Sequence, residues 1–552
     1  MISNARYWFL LGLTVLVYLC GLFVTLFEND SAQFAVMAMR MVQENDFLNL
    51  LKGPEEYLDK PHMHYWLAAL SYKIFGIHDW AYRIPGILAT FLGGYSCYGL
   101  GKVLYSKDTG KLAALIFLTC QTIVLGGIDV RTDAVLTGFT IFSIWHLVAY
   151  IEKDSLKHIV LGAFGGGIAF STKGQIALVV IGIGILCHLV YTKKWFRFIN
   201  WKVLVALLVF VLTITPMLYA YYHQFDLHPE KVIRGRGERS GIFFIFWEQS
   251  FERMSGQGVG KNSSDYFFFF HTFLWVFLPW TVLALTGYVK KLKEFVRIRF
   301  VYSKAMEFLT LGGITLIFFI ISFAQFKLPH YMNIMMPLYA LMTAWFINEL
   351  QKKESNTVVK PFLGVQYFIL GAVFIFSLLL SFYVFKFESV LGYIVLIPFY
   401  GVVAYFCLKR EAYSKRLVTV SVLASVLLNG LMNLHFYPNL LQYQGGSNMA
   451  KEVAKLGIPT ENIYKFTARH TWALDFYNRT PVKITSLKKL KTQKDIWVYV
   501  NDKELAQLKA SGFRWNDKLT VDQFRITRLQ LKFLNPITRD EKLNKMHLVR
   551  LD

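Results

Sequence analysis

Long apolar segments alternate with short polar segments along most of this chain. The apolar segments are mostly about 18–25 residues long, the length a helix needs to cross roughly 30 Å of hydrocarbon. Thirteen such segments lie at approximately 7–27, 80–104, 110–127, 131–151, 158–172, 174–192, 201–222, 267–289, 306–324, 330–350, 361–385, 389–408 and 416–435. The pattern therefore predicts a polytopic α-helical membrane protein.

The basic residues between these segments fall mainly on one side. If the N-terminus is cytoplasmic, the loops after even-numbered segments carry clusters at 193–202, 290–304, 352–360 and 409–416. Short cytoplasmic loops are enriched in Lys and Arg. With thirteen spans, the tail from 436 to 552 then lies on the opposite, exoplasmic side.

Composition supports the membrane class. Of 552 residues, 55% are hydrophobic, and the mean hydropathy is +0.40. The net charge of +23 lies in short loops, which argues against nucleic acid as a partner and favours contact with anionic lipid head groups. All five cysteines fall inside apolar segments, so no disulfide framework is predicted. Arg6 and the apolar run after it predict a retained first helix rather than a cleaved signal sequence.

Two regions emerge, a membrane region at 1–435 and a tail at 436–552. In the tail, the run 496–500 (IWVYV) is typical of a strand, and Asn501 is placed to cap a helix from Asp502 to Ser511. Alternation of strand and helix predicts a small α/β domain. No catalytic constellation is evident in the tail.

Two long loops are predicted on the exoplasmic side, at 28–79 and 223–266. Within the first, the Met-rich stretch 33–43 is amphipathic and predicts a helix lying in the membrane interface. The second places Arg234, Arg236, Arg239 and Arg253 among aromatic residues. This is typical of a mobile loop over a lipid-facing site, and a purely structural loop is the alternative.

Charged residues at the exoplasmic ends of these segments suggest chemistry on a charged group attached to a lipid. Asp30 follows the first segment, where it is either a catalytic acid or the N-cap of the next helix. Lys60 lies in the run 59–66 (DKPHMHYW), where it is either a phosphate ligand or a lysine reaching to the interface. Asp59, His62 and His64 could also ligate a divalent metal, a spacing common by chance.

Further charges lie on the same predicted side. Arg131 and Asp133 could form an internal ion pair or orient groups near the first loop. Lys173 interrupts two apolar segments, and the run 327–331 (KLPHY) does so again. Exoplasmic cations run against the positive-inside trend and need an anionic partner, for which phosphate is a good candidate.

Eight motifs occur in the order seen in a known family. They are Asp30 after the first helix, YLDKPHMHYWLAALSYKIFG (57–76), AYRIP (81–85), RTDAVL (131–136), STKG (171–174), FWEQSFERM (246–254), LPW (278–280) and FAQFKLPHYMNIMMP (323–337). The ordered set covers roughly residues 20–350. On these residues the chain resembles glycosyltransferases of the GT-C superfamily, close to the lipid A aminoarabinose transferases and the protein O-mannosyltransferases.

The resemblance implies transfer of a sugar from a polyprenyl phosphate to an exoplasmic acceptor, with inversion, at a bacterial plasma membrane. It implies that Asp30 is the general base and that Lys60 and Arg253 bind the lipid phosphate, with Lys327 a further candidate by its motif. Asp59, Arg131, Asp133, Lys173, His330 and Tyr331 are expected to support them. No cofactor is expected, because cations can replace a general acid when the leaving group is a phosphate.

The acceptor stays open between a glycolipid, such as lipid A, and a protein. Ser31, Gln33 and Phe34 replace residues common in the family, so the resemblance does not name the sugar. A transporter or flippase of lipid-linked sugars is the alternative from another class. The sequence has no clear internal repeat and collects its charged motifs at one face, which favours the enzyme. A scaffold with an exoplasmic binding domain does not explain the ordered motifs.

Overall fold

The structure is a computed structural model that describes residues 3–255, 265–304, 306–352, 356–387, 390–493 and 495–551. It is mainly helical up to residue 443, with a mixed sheet in the remainder. The helices of the first part are α1 Asn4–Gly21, α2 Asp30–Gln43, α3 Met63–Phe75, α4 Asp79–Leu104, α5 Lys107–Thr119, α6 Gln121–Gly126, α7 Thr132–Lys153, α8 Leu156–Lys173, α9 Gln175–Thr192, α10 Trp201–Tyr221, α11 Gly241–Phe243, α12 Gln249–Ser255, α13 Phe268–Val276, α14 Thr281–Arg297, α15 Leu309–Phe323, α16 Met336–Lys352, α17 Asn356–Leu379, α18 Val390–Leu408, α19 Tyr413–Leu431 and α20 Tyr437–Leu440.

Short elements extend or join these helices. Single π-type turns continue α10, α17 and α19 at Tyr222–Asp226, Leu380–Val384 and Met432–Phe436. A 3-10 turn at Pro329–Met335 leads into α16, and strands β1 Leu51–Lys52 and β2 Glu55–Glu56 form a small hairpin in the first long loop.

Five helical stretches in the described residues are long and apolar enough to cross a membrane. They are Thr132–Lys153, Gln175–Thr192, Trp201–Asp226, Thr357–Val384 and Tyr413–Tyr443. The span Trp201–Asp226 has the highest hydropathy, and only 17% of its most apolar window is buried inside the protein. An apolar helix with so little protein around it is suited to contact with lipid. The chain is therefore a helical membrane protein, and the total of thirteen spans stays a prediction.

Each of the thirteen predicted segments contains helix, but two are broken. The segment predicted at 110–127 is divided into α5 and α6 at Cys120, whose backbone is extended. The segment predicted at 267–289 is divided into α13 and α14 around Pro279. The two breaks face each other, because the Gln121 amide donates to the Leu278 carbonyl at 3.0 Å. Apolar periodicity does not reveal such a break, since the freed backbone groups are satisfied by a neighbour.

The apolar face of residues 33–43 meets protein and not lipid, and the position of this helix at the membrane interface stays a prediction. The helix exists as α2, but ten of its fourteen residues are buried inside the protein. Its Met and Ala side chains pack with α3 and with the later helix α22, Trp472–Asn478. The apolar face that predicted a lipid contact is covered instead by a distant part of the same chain.

The C-terminal part contains a five-stranded sheet of order β4-β3-β5-β7-β6. Its elements are α21 Gly445–Leu456, β3 Ile463–Lys465, α22, β4 Lys483–Ile484, α23 Leu487–Leu490, β5 Trp497–Asn501, α24 Asp502–Ala510, β6 Trp515–Gln523, α25 Leu531–Leu534 and β7 Asn544–Leu551. Strands β3, β4 and β5 pair in parallel, and β7 pairs antiparallel with β5 and β6. The predicted strand and the helix capped by Asn501 are confirmed, with a full capping box to Glu504.

Candidate active site

A cavity of about 490 Å³ collects most of the predicted site residues. Its lining comes from the start of α2, the loop before α3, the start of α7, the end of α8, the second long loop and the turn before α16. The lining charged groups are Asp30, Asp59, Lys60, Arg131, Asp133, Lys173 and Arg234, joined by His330 and Tyr331. Residues as far apart in sequence as Asp30 and Tyr331 thus line the same polar cavity.

Asp30 is the first residue of α2, not its N-cap as one interpretation predicted. The cap position is Asn29, with φ of 77°, a conformation that L residues rarely adopt. A carboxylate in the first turn is stabilised by the positive end of the helix dipole. The Asp30 side chain remains 44% exposed, so it is accessible from the cavity.

Arg131 connects Asp30 to a second acid. Its Nη1 donates to Asp30 Oδ2 at 2.9 Å and its Nη2 donates to Asp129 Oδ2 at 2.8 Å. Burial lowers the pKa of Arg131, but the adjacent carboxylates of Asp129 and Asp30 outweigh it and leave the pKa raised. Arg131 is therefore a permanent cation. The predicted pair of Arg131 with Asp133 is wrong, and the alternative, an orienting contact to the first loop, matches the geometry.

Asp133 pairs with Lys173 instead. The Lys173 Nζ donates to Asp133 Oδ1 at 2.6 Å, and both side chains are at least nine-tenths buried. Lys173 Nζ also lies 5.0 Å from the centre of the Tyr331 ring. His330 approaches the same group, with its Nε2 3.9 Å from Asp133 Oδ2.

The second long loop supplies a cation that sequence reasoning did not select as a site residue. Arg234 pairs with Asp59 and, through Nη1 at 3.1 Å, with Glu252. The Asp59 carbonyl also accepts from Gln249 Nε2 at 2.7 Å. These contacts fix the Asp59–Lys60 corner, and Lys60 lines the cavity from this corner. Nothing in the sequence distinguishes Arg234 from the other three arginines of this aromatic-rich loop.

Of the other two predicted phosphate ligands, Lys327 is not part of the cavity lining and Arg253 cannot be placed. Lys327 is buried and donates to the Asp265 carbonyl at 2.7 Å, while its neighbours Phe326 and Leu328 line the cavity. Arg253 belongs to α12, but its side chain lies outside the described residues.

The described residues contain no group of three or more His, Cys, Asp or Glu side chains that could hold a metal ion. Asp59, His62 and His64 are directed to different partners. His62 Nε2 lies 2.9 Å from the Leu48 carbonyl, and His64 Nε2 lies 3.0 Å from the Tyr82 hydroxyl. Burial lowers the pKa of each imidazole to about 4, so both are neutral side chains within the protein at neutral pH.

Sequence reasoning also missed Arg83 and Asp129. The fully buried Arg83 donates to the carbonyls of Leu22 and Ile128 at 2.9 Å each and to that of Thr25 at 3.3 Å. It therefore joins the segments that lead to Asp30 and to Arg131. The only available signal for Asp129 was its place two residues before Arg131, in a run that already contained an acid and a cation.

An apolar cavity of about 300 Å³ adjoins the charged one. The two share Asp133, Lys173, Phe326 and Tyr331 in their linings. The rest of the second lining is mainly apolar and includes Ile176, Val179, Phe251, Met254, Ile320 and Ile334. The site thus joins a charged compartment to a hydrocarbon-lined one.

Comparison with solved structures shows the class of fold, a polytopic helical membrane fold of GT-C type. The structure superimposes on the crystal structure of ArnT from Cupriavidus metallidurans bound to undecaprenyl phosphate, with a TM-score of 0.73. The match covers 99% of this chain and 98% of that one at 16% identity. The two chains therefore share a fold from end to end.

Sequence relatives agree with this class. Residues 59–219 match the family of dolichyl-phosphate-mannose-protein mannosyltransferases. An undecaprenyl phosphate-alpha-4-amino-4-deoxy-L-arabinose arabinosyl transferase of Proteus mirabilis is 24% identical over 69% of this chain and 68% of its own length. An Enterobacter enzyme with the same activity in its name is 24% identical over 58% of this chain and 55% of its own. These comparisons confirm the predicted resemblance to GT-C glycosyltransferases of the aminoarabinose transferase type.

Proposed function

We propose that this protein is an inverting glycosyltransferase that moves a sugar from a polyprenyl-phosphate donor to a hydroxyl group of an acceptor at the outer face of the membrane. The observation that carries the proposal is the junction of the charged and apolar cavities at Asp133, Lys173, Phe326 and Tyr331. A polyprenyl-phosphate sugar has the same division, since a charged phosphate separates a polar sugar from a long hydrocarbon chain.

The charge of the cavity suits such a donor. Its lining holds four cations, from Lys60, Arg131, Lys173 and Arg234, and three carboxylates, from Asp30, Asp59 and Asp133. Cations held in place before reaction stabilise the charge that develops on a departing phosphate. We therefore propose Lys60 as the principal phosphate ligand, with Lys173 near the lipid side.

Asp30 is proposed as the general base. The acceptor oxygen attacks the anomeric carbon, the bond from that carbon to the phosphate oxygen breaks, and the hydroxyl proton passes to Asp30. Arg131 holds Asp30 through Oδ2, so Oδ1 is the oxygen proposed to take the proton. Asp129 on the other side of Arg131 keeps that cation in position.

Arg253 and Lys327 are proposed as further phosphate ligands that act when the donor is bound. Phe251 and Met254, on either side of Arg253, line the apolar cavity, and Phe326 lines both cavities beside Lys327. Lys327 now donates to the backbone of Asp265, at the edge of the second long loop. Donor binding that displaced the Asp265 carbonyl would let Lys327 donate to the phosphate.

The membrane arrangement is also a proposal. We place the N-terminus in the cytoplasm of a bacterial cell, thirteen spans across the inner membrane, and residues 436–552 as a separate domain on the exoplasmic side. The basic clusters at 193–202, 290–304 and 409–416 support this orientation. Reporter fusions at residues 196, 411 and 552 would contradict it if the first two were exported or the third were retained.

No cofactor is proposed, because the four lining cations supply the positive charge that a divalent metal would otherwise bring. Transfer that survives prolonged treatment with EDTA is the expected result. Transfer lost with EDTA and regained on adding Mg²⁺ or Mn²⁺ would contradict this part of the proposal.

The acceptor is proposed to be a glycolipid, since the chain resembles lipid A aminoarabinose transferases and its sequence relatives are named as undecaprenyl phosphate-alpha-4-amino-4-deoxy-L-arabinose arabinosyl transferases. The family match at 59–219 favours a protein acceptor as the second candidate. The test is transfer by purified protein from a panel of polyprenyl-phosphate sugars to glycolipid and protein extracts. A labelled product formed by the wild type and not by Asp30→Asn supports the enzyme, and its size separates the two acceptors. Equal amounts of product from the wild type and from Asp30→Asn would contradict the proposed role of Asp30 in transfer.

A further inference from the structure

The segment Phe524–Arg539 exposes apolar and basic side chains together. Leu529 is 45% exposed, Leu531 is 85% exposed and Ile537 is 82% exposed. The basic residues Arg525, Arg528 and Lys532 are exposed on the same short segment. Large apolar side chains standing in water beside several cations are typical of a surface that meets a lipid interface.

This segment contacts the ends of two candidate spans. Arg539 donates to the carbonyl of Val384, the last residue of the span Thr357–Val384. Next to it, the Tyr383 hydroxyl donates to Asn535 Oδ1 at 2.9 Å. The Phe524 amide donates at 2.8 Å to the carbonyl of Tyr443, the last residue of the span Tyr413–Tyr443. In the proposed membrane arrangement, these contacts bring the exposed apolar side chains near the outer surface of the membrane.

The segment is also held firmly in shape. The Phe524 and Phe533 rings stack with centroids 3.7 Å apart and planes 8° from parallel. The Arg539 guanidinium lies 4.4 Å from the centre of the Phe385 ring and 5.5 Å from that of Phe533. Leu531 and Ile537 are thus exposed by a defined conformation rather than by a loose loop.

The same segment reaches the candidate base. Asn29 Nδ2 donates to Thr527 Oγ1 at 3.5 Å, and Asn29 directly precedes Asp30. A lipid head group held by Arg525 or Arg528 would accordingly be next to the start of α2, which carries Asp30 into the charged cavity.

We propose that Phe524–Arg539 is a docking surface for an anionic, phosphate-bearing lipid of the outer leaflet, and that this lipid is the acceptor. Its phosphates pair with Arg525, Arg528 and Lys532, and its acyl chains lie against Leu529, Leu531 and Ile537. This inference rests on the proposed function, because it assigns a binding surface to the lipid acceptor of that reaction. Anionic lipids are attracted to clusters of Lys and Arg at a membrane surface.

The test measures binding and transfer separately. Full-length protein in phosphatidylcholine nanodiscs is titrated with a bisphosphorylated lipid A and with its dephosphorylated form, in the absence of donor. The test variant is Arg525→Gln/Arg528→Gln/Lys532→Gln. The control is Lys488→Gln/Lys489→Gln/Lys491→Gln, which removes the same charge from exposed lysines near β4, at the opposite edge of the sheet from β6.

The test variant should bind the phosphorylated probe about ten- to a hundredfold more weakly than the wild type, because each lost cation at a lipid surface weakens attraction. The control variant should bind it normally, and the dephosphorylated probe should bind all three proteins equally weakly. Equal loss in both variants, or no loss in either, would overturn the proposal. A second variant, Leu531→Ser, should weaken both probes, and unchanged binding would remove the apolar half of the surface.

Transfer assays on the same proteins distinguish the two proposals. If the wild type transfers sugar and the test variant does so with an unchanged KM for the lipid acceptor, the docking surface is wrong and the enzyme stands. Transfer to protein acceptors alone would likewise show that the docking surface is wrong while the proposed enzyme stands. If the binding difference is found but no donor supports transfer, the lipid-binding surface stands, whereas the proposed function and the role of the lipid as acceptor fail.

Discussion

Two charged clusters at opposite ends of the helical region differ in what surrounds them. One joins Lys291 of α14, Glu307 before α15 and Tyr105 after α4, and its two charged side chains are 0% and 4% exposed. The other joins Asp30, Arg131 and Asp129 and lines a cavity, with Asp30 44% exposed. The charged groups of the first cluster are enclosed by protein. Those of the second cluster border a cavity that is large enough for a ligand.

The difference separates charge used for structure from charge used for chemistry. In the closed cluster, Lys291 Nζ also donates to Thr310 Oγ1 at 2.9 Å, and Glu307 Oε2 accepts from the Thr310 amide at 2.8 Å. Such satisfaction leaves no contact for a substrate. In the open cluster, Arg131 is shared by two acids, one of which faces the cavity. Desolvating charge is costly, so an incompletely enclosed cluster beside a membrane is where function is expected.

The largest expected effect is on the open cluster. Asp30→Asn should lower the rate of transfer by about 10²–10⁴-fold, the usual contribution of a general base. Its thermal unfolding midpoint in detergent should stay near that of the wild type, because Asp30 is half-exposed and Arg131 keeps its contact with Asp129. If Asp30→Asn lost activity and also had a much lower thermal unfolding midpoint, the open cluster would be structural like the closed one.

The closed cluster should respond in the opposite way. Lys291→Met leaves Glu307 buried without its cation and should lower the free energy of unfolding by roughly 3–5 kcal/mol, seen as a lower midpoint in thermal unfolding. The matched control is Lys291→Met/Glu307→Leu, which removes both charges and should regain most of that stability. A single variant as stable as the wild type would show that this pair is not structural.

A smaller effect is expected from a cavity cation. Lys60→Ala should raise the KM for the polyprenyl-phosphate donor about tenfold or more, since a hydrogen bond between charged groups contributes about 1.5–3 kcal/mol. Lys52→Ala, in the same loop but outside the cavity lining, serves as the control and should leave KM unchanged. If both substitutions raise KM equally, Lys60 acts only through general attraction of the lipid.

Glu28 sharpens the comparison, because this half-buried residue has a carboxylate oxygen, Oε1, that is buried and less well satisfied than those of Glu307. Its Oε2 accepts from the Ala473 amide at 3.2 Å, and its Oε1 has no hydrogen-bond partner within the part of the chain described. Burial, with a smaller contribution from Asp475, raises the pKa of Glu28 from 4.5 to about 7.

This raised pKa predicts a pH dependence of stability. Between pH 4.5 and about 7 the folded protein holds a proton on Glu28 that the unfolded chain has released, so stability falls as pH rises through this range. Glu28→Gln should flatten the thermal unfolding midpoint measured between pH 5 and 8. A slope unchanged by the substitution would assign the titration to other groups.

Much of the architecture could be predicted from the sequence because hydrocarbon imposes strong rules. Length and polarity alone located helix in every predicted segment, and Asn501 marked its helix through a local capping rule. The break at Cys120 could not be predicted, since it depends on a carbonyl 158 residues away in sequence, that of Leu278. The burial of α2 was hidden for the same reason, because its covering helix α22 lies in the tail.

The sequence could predict which residues belong to the candidate site, but not which of them form ion pairs with each other. Residue type and predicted side of the membrane selected Asp30, Lys60, Arg131 and Lys173, which the structure brings to one cavity. The partners of Arg131, which are Asp30 and Asp129, could be identified only from the fold. Arg83 was also beyond reach, because its role is to bind three backbone carbonyls that sequence does not place together.

The most direct test of the central claim is to measure equilibrium binding of undecaprenyl phosphate and the rate of transfer on the same preparation of Asp30→Asn. The account predicts a Kd within about twofold of the wild type with transfer lost, because a general base acts in the chemical step and not in donor binding. If Asp30→Asn transferred sugar at the wild-type rate, or lost transfer only because it no longer bound the lipid phosphate, the open cluster would not be the catalytic centre proposed here.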